Sequence, residues 1–279
     1  MNPWLVTLAA ALWLCMLFGV ALVGERRPAL FERRWSIVYA LSLAIHCTSW
    51  TFYGTVTQAS RSGWWLPPTF VGAILMYVLA VGVLRRLVVM ARDYNAGSVA
   101  DLIAARLGRH RGLAALVTVV MLIGIVPYLA LQLKAVAMSY GLLAQGRDAE
   151  APAWQDSALY VALLMAAFAM LFGTRRASAM AHNRGLVLAM AFESLFKLGA
   201  MLALGSLLVG AAPDPAAVAR AAAMPHDASG FPALILLGAL AMFTLPHQFH
   251  AGMVECRDVR HVATARWLFP LYMLLISLP

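Results

Sequence analysis

The sequence predicts an all-α integral membrane protein, a helical bundle built on an inverted repeat. Three observations carry this. The 279 residues are 63% hydrophobic and only 12% charged, with a mean hydropathy of +0.80, where soluble domains carry about 25% charged residues. The apolar residues gather in runs of the ~20 residues that cross a bilayer, whereas a soluble core has no room for so much apolar surface. The arginines, finally, are concentrated in alternate connections between those runs. A net charge of +9 would suggest a nucleic-acid partner in a soluble protein. Here its location assigns it to membrane orientation, so the lipid bilayer is the expected partner and no nucleic acid is.

The runs place spans at about 3–23, 35–57, 66–91, 112–140, 157–173, 185–210 and 231–250, with an eighth opening near Arg266. The first, "WLVTLAAALWLCMLFGVALVG", has no basic residue before it and four arginines after it, the reverse of a cleaved signal peptide, so it is kept as a span. The eighth runs 14 residues to Pro279, short of the ~20 needed to cross. One transmembrane domain, 1–279, truncated in its second repeat, is therefore expected.

One set of connections holds Arg26, Arg27, Arg33 and Arg34, then Arg85, Arg86, Arg92, Arg106, Arg109 and Arg111, then Arg175, Arg176 and Arg184, then Arg257, Arg260 and Arg266. The other holds only Arg61, Arg147 and Arg220. Sixteen arginines against three put the first set in the cytoplasm and the N-terminus outside. In the inner connection "ARDYNAGSVADLIAARLGRHRG", Ser98 caps a short amphipathic helix with an apolar stripe of Val99, Leu102, Ile103 and Leu107. The outer connections are rich in Ala, Pro and Asp and read as irregular, with a short helix at 215–223.

Hydrocarbon tolerates a broken helix only where protein or a water-filled cavity receives the freed backbone groups. The second span carries such a mark in "SLAIHCTSWTFYG", a polar run at mid-depth, and the seventh carries one in "GALAMFTLPHQFHAG", where Pro246 precedes His247, Gln248 and His250. The charge map makes these two spans run in opposite directions. Spans two to six then form one five-helix unit and span seven opens an inverted copy, the arrangement in which paired breaks mark a transporter's binding site. Gln132, after Pro127 in the fourth span, and Gln248 are candidate solute ligands. Glu193 and Lys197 lie four residues apart in the sixth span and should pair facing the bundle interior, either as a packing pair or on an ion path.

Cys15, Cys47 and Cys256 show no metal or disulfide spacing, and the HxxH of His247 and His250 lacks the further ligands a metal needs, so no metal is expected. Local hydrogen bonding near the cytoplasmic mouth is the expected role of that histidine pair. No catalytic motif occurs, and the enzyme question stays open.

"LSLAIHCTSWTFYG", "PYLALQLKAVAMSYGLL", "LFGTRRASAMAHNRGLVLAMAFESLFKLGA", "LPHQFHAGMVE" and "RWLFPLYMLLISLP" together resemble the sodium:solute symporter family, most closely the members fused to bacterial sensor histidine kinases. The resemblance implies a LeuT-like fold of five plus five helices preceded by one N-terminal span, in a bacterial inner membrane with a periplasmic N-terminus. It implies Na⁺ (or H⁺) as coupling ion and no other cofactor, an amino acid such as histidine as solute, and C-terminal cytoplasmic PAS and kinase domains as partners. It places ion-binding carbonyls at Ala44 and Cys47 and solute-lining side chains at Trp50, Thr51 and Tyr53. Thr51 stands where sugar-transporting members carry a glutamine, which argues against a sugar.

Overall fold

In the computed structural model the described residues are 2–27, 29–145, 182–210 and 229–279, with Tyr160, Ala162, Leu163 and Ala216 besides. Every regular element among them is helical. The span expected at 157–173 and the short helix expected at 215–223 lie almost entirely outside the described residues.

Among the described residues three helices are long and apolar enough to cross a membrane. The first, α1 (Pro3–Arg26), opens on an Asn2 side chain that accepts Trp4 N–H at 3.0 Å, with Pro3 at the first position, where its missing N–H removes nothing. After a single helical turn, Ala29–Glu32, five longer helices follow: α2 (Trp35–Ser42), α3 (Ser49–Ser62), α4 (Pro68–Leu79), α5 (Val81–Asp93) and α6 (Val99–Arg106). Then come the two other long apolar helices, α7 (Arg111–Gln145) and α8 (Arg184–Gly210), and finally α9 (Phe231–Thr244), α10 (Pro246–Phe249) and α11 (His261–Ile276). The described residues are those of a helical, multi-pass membrane protein.

Several boundaries differ from expectation, each for a physical reason. The segment 66–91 is not one straight span: α4 and α5 meet at Ala80 with a bend of 77°. Arg85 and Arg86 make α5 amphipathic, burying Leu84, Val88 and Ala91 while both arginines stay exposed, and charge of that density does not enter hydrocarbon. A bend of 55° likewise divides α9 from the helical turns after Pro246. The last helix begins at His261 rather than near Arg266, because Asp258 Oδ1 accepts Arg260 N–H at 2.8 Å and organises the turn before it. Arg266 thus sits inside α11, its Nε donating to the Val78 carbonyl at 3.2 Å, one of the oxygens left over near the end of α4. The cap foreseen at Ser98 is present, its hydroxyl accepting Asp101 N–H at 3.1 Å.

The core lies around α2. Tyr39, Leu43 and Ala44 are buried there against Phe70 and Tyr77 of α4, Met242 of α9, Phe249 of α10, and Phe269 and Met273 of α11. On the outer side α1 packs along α8, with Trp13 tilted on Phe196 at 4.2 Å between ring centroids. Leu116, Val120, Ile123 and Val126 of α7 stay exposed, as suits a lipid-facing helix. Broken helices at the centre, sheathed by long unbroken ones, set the geometry of the site.

Candidate functional site at the two helix breaks

The first break follows from local chemistry. After α2 the chain tightens into a 3-10 turn, Leu43–His46, and Cys47 N–H bonds the Ala44 carbonyl at 2.9 Å. Cys47 (φ −79°, ψ 90°) and Thr48 (φ −87°, ψ −176°) are extended, and α3 restarts at Ser49. Hydroxyl side chains compete with helical hydrogen bonds and so favour such an interruption. Extending the backbone takes the Cys47 carbonyl out of the helical ladder. It is met by Lys197 Nζ of α8 at 2.6 Å, and the same nitrogen lies 3.2 Å from Glu193 Oε1.

The second break is at Leu245 (φ −68°, ψ 129°), the residue before Pro246, whose ring disfavours a helical predecessor. Pro246 opens α10, and a π-helical turn, His250–Val254, continues it. The two breaks are neighbours in space. Gln248 Nε2 reaches the Leu43 carbonyl at 3.4 Å, and Tyr39 OH donates to the Gly252 carbonyl at 2.6 Å. Between them stand side chains of α7: Tyr128 stacks on His247 at 5.4 Å and 17°, and Gln132 Oε1 accepts Ser49 Oγ–H at 3.0 Å.

The candidates read from sequence are distributed as follows. Gln132 is at this junction, bonded to Ser49. Tyr53 OH meets Ser139 Oγ at 2.8 Å, joining α3 to α7 further along. Thr51 is half-buried, with its carbonyl bonded by Thr55 Oγ1 at 2.7 Å. The Trp50 side chain lies outside the described residues. Gln248 is wholly buried between the breaks, and neither its Oε1 nor His247 Nε2 has a hydrogen-bond partner among the described residues. The carbonyls of Ala44 and Cys47 each have an occupant, the Cys47 amide and the Lys197 ammonium. Glu193 and Lys197 do pair, with the lysine turned to the first break. Ser49 and Tyr128 are not among the sequence candidates, Pro127 directly before Tyr128 being the available signal, and His247, expected to hydrogen-bond locally near the cytoplasmic mouth, instead stacks on Tyr128. Tyr53→Phe removes the bond to Ser139 and is expected to cost about 1 kcal/mol, read from denaturation of the purified protein.

A second polar cluster ties the end of the seventh span to the start of α8. Glu255 is 1% exposed, and its two carboxylate oxygens accept Asn183 N–H at 3.1 and 3.0 Å. His250 Nε2 is 3.3 Å away and His182 Nδ1 3.8 Å. Across the same helix start, Glu25 Oε1 accepts Gly185 N–H at 3.1 Å. Among the described residues no three His, Cys, Asp or Glu side chains are grouped to hold a metal ion. Burial pushes the His182 imidazole below its ordinary range, against the opposing pull of Glu255. An unfolded histidine binds its proton near pH 6.5, so between the lowered native value and that figure the unfolded state holds more protons. Stability from this group is therefore present above pH 6.5 and falls as the pH drops through the window. Melting at pH 7.5 and 5.5 should show a smaller acid loss in His182→Gln than in the wild type; equal losses would acquit His182.

No family model matches this chain, and no curated protein or solved structure matches it either.

Proposed function

We propose that this chain is a symporter-like membrane domain that binds a small polar solute, an amino acid such as histidine, at the junction of its two helix breaks. The observation that carries the reading is the meeting of those breaks around Ser49, Tyr128, Gln132 and His247. Interrupted helices are stable inside a membrane only where other groups satisfy the freed backbone, and this junction also holds two buried side-chain atoms, Gln248 Oε1 and His247 Nε2, that no described residue bonds and that are left for a solute. The opposed directions of the two broken spans, expected from the arginine map, support a LeuT-like inverted repeat. So does the resemblance of the sequence motifs to sodium:solute symporters linked to sensor kinases.

On this reading the domain lies in a bacterial inner membrane with its N-terminus outside, couples solute to a cation, Na⁺ or H⁺, and reports occupancy to cytoplasmic PAS and kinase domains. Coupling requires that ion and solute favour the same conformer. A receptor that has lost transport would retain binding alone, and a plain symporter would lack the kinase. Uptake of radiolabelled histidine into proteoliposomes, alongside equilibrium binding, separates these. Uptake with binding is expected; binding without uptake leaves the receptor, and no binding of histidine or any other polar amino acid overturns the solute site.

A further inference from the structure

We infer that Lys197 is the resident cation of the first helix break, so that solute binding there needs no sodium ion. The inference rests on reading the breaks as a solute site. The carbonyls that the family resemblance would give to a coupling ion are those of Ala44 and Cys47, and each already accepts a hydrogen bond from within the chain. The Ala44 oxygen is bonded by Cys47 N–H at 2.9 Å. The Cys47 oxygen is bonded by Lys197 Nζ at 2.6 Å, the short distance of a charge-assisted contact.

Glu193 Oε1 lies 3.2 Å from that nitrogen, so the ammonium stands between a carbonyl and a carboxylate oxygen. Those are the hard oxygen ligands a small cation takes. A lysine stem delivers the charge from α8, in place of an ion delivered by diffusion. A sodium ion on the same carbonyl would have to displace the ammonium or share the oxygen with it, and two like charges within about 4 Å repel. The ammonium's single charge leaves the local charge as a bound sodium would.

A plainer role is available, since cations near the last carbonyls of a helix stabilise it. The two differ in what happens when the lysine is gone. A cation site stripped of its tethered charge accepts a free monovalent cation, whereas a helix end stripped of its cap is only weakened.

Thermal melting of the full chain in detergent, in sodium chloride against N-methyl-D-glucamine chloride at equal ionic strength, tests this with no solute present. The wild type should melt at the same temperature in both salts. Lys197→Met should melt lower in the organic salt and regain about 3–5 °C in sodium at roughly ten times its Kd. Lys197→Met combined with Glu193→Gln should lose that gain. A sodium-specific rise in the wild type overturns the inference, as does a Lys197→Met variant weakened equally in both salts. Should Lys197→Met fail to fold, histidine binding to the wild type decides. Affinities within twofold with and without sodium sustain the inference, and binding that requires sodium overturns it. If no polar amino acid binds in either salt, the solute site fails, while the wild-type melting comparison still reports on the cation.

Discussion

Gly238→Ala is expected to cost this protein more stability than an added methyl group usually does. A Cβ at Gly238 of α9 would overlap the Thr69 carbonyl oxygen of α4, and one at Gly72 of α4 would overlap the Ile235 carbonyl oxygen of α9. The obstacle in each case is backbone, so no side-chain rotation relieves it, and the two helices must separate. Small residues at such crossings let membrane helices approach closely where no hydrophobic force drives them together. Overpacking costs about 1–3 kcal/mol, occasionally more, and this crossing belongs at the upper end. A Tm lower by about 6–12 °C follows for a chain of this size. Gly199→Ala in α8 is the control, since nothing lies within 4 Å of its added methyl and alanine gains about 0.5–1 kcal/mol over glycine in a helix. If the two variants melt alike, α4 and α9 do not cross as described. The effect should reach the site, because α9 ends at Leu245, where the second break begins, so weaker solute binding should accompany the lower Tm.

Both breaks were legible in the sequence because each is written in backbone chemistry. Proline at 246 deprives the helix of an N–H and biases Leu245 to extended geometry, and the hydroxyls around Cys47 offer the chain alternatives to the helical ladder. The bend at Ala80 was not legible in the same way. Counting apolar residues from 66 to 91 treats Arg85 and Arg86 as the fringe of a span, whereas one buried stripe of Leu84, Val88 and Ala91 is enough to hold α5 as a separate amphipathic helix. The partners of side chains were the least legible. Glu193 and Lys197 at four-residue spacing predict their own pairing, but which neighbour the lysine meets depends on the rotation of α8 about its axis and on its distance from α2. The spacing within one helix fixes neither quantity. Glu255 was hidden similarly, since its main partner, the Asn183 amide, is 72 residues away.

That partner makes Glu255→Leu the second large expected loss. The carboxylate is 1% exposed and takes Asn183 N–H with both oxygens, directly before the first turn of α8. There the unsatisfied amides and the helix dipole both favour negative charge. Leucine would remove the charged acceptor of the half-buried Asn183 N–H and the carboxylate beside His250, and losing a hydrogen bond to a charged group costs about 1.5–3 kcal/mol. Glu255→Gln retains one acceptor oxygen of the same shape and should cost about 1–2 kcal/mol. Denaturant or thermal unfolding of the three proteins checks the order, and a Glu255→Leu variant as stable as the wild type would refute the latch. A consequence for the site distinguishes this from a local defect. The start of α8 is held by a residue that follows the second break, and Lys197, about 21 Å further along at 1.5 Å per residue, is held by the first. One helix thus connects the two breaks through two charged contacts. Loosening its start should let Lys197 move relative to the Cys47 carbonyl, so Glu255→Gln is expected to weaken histidine binding severalfold although Glu255 does not touch the junction.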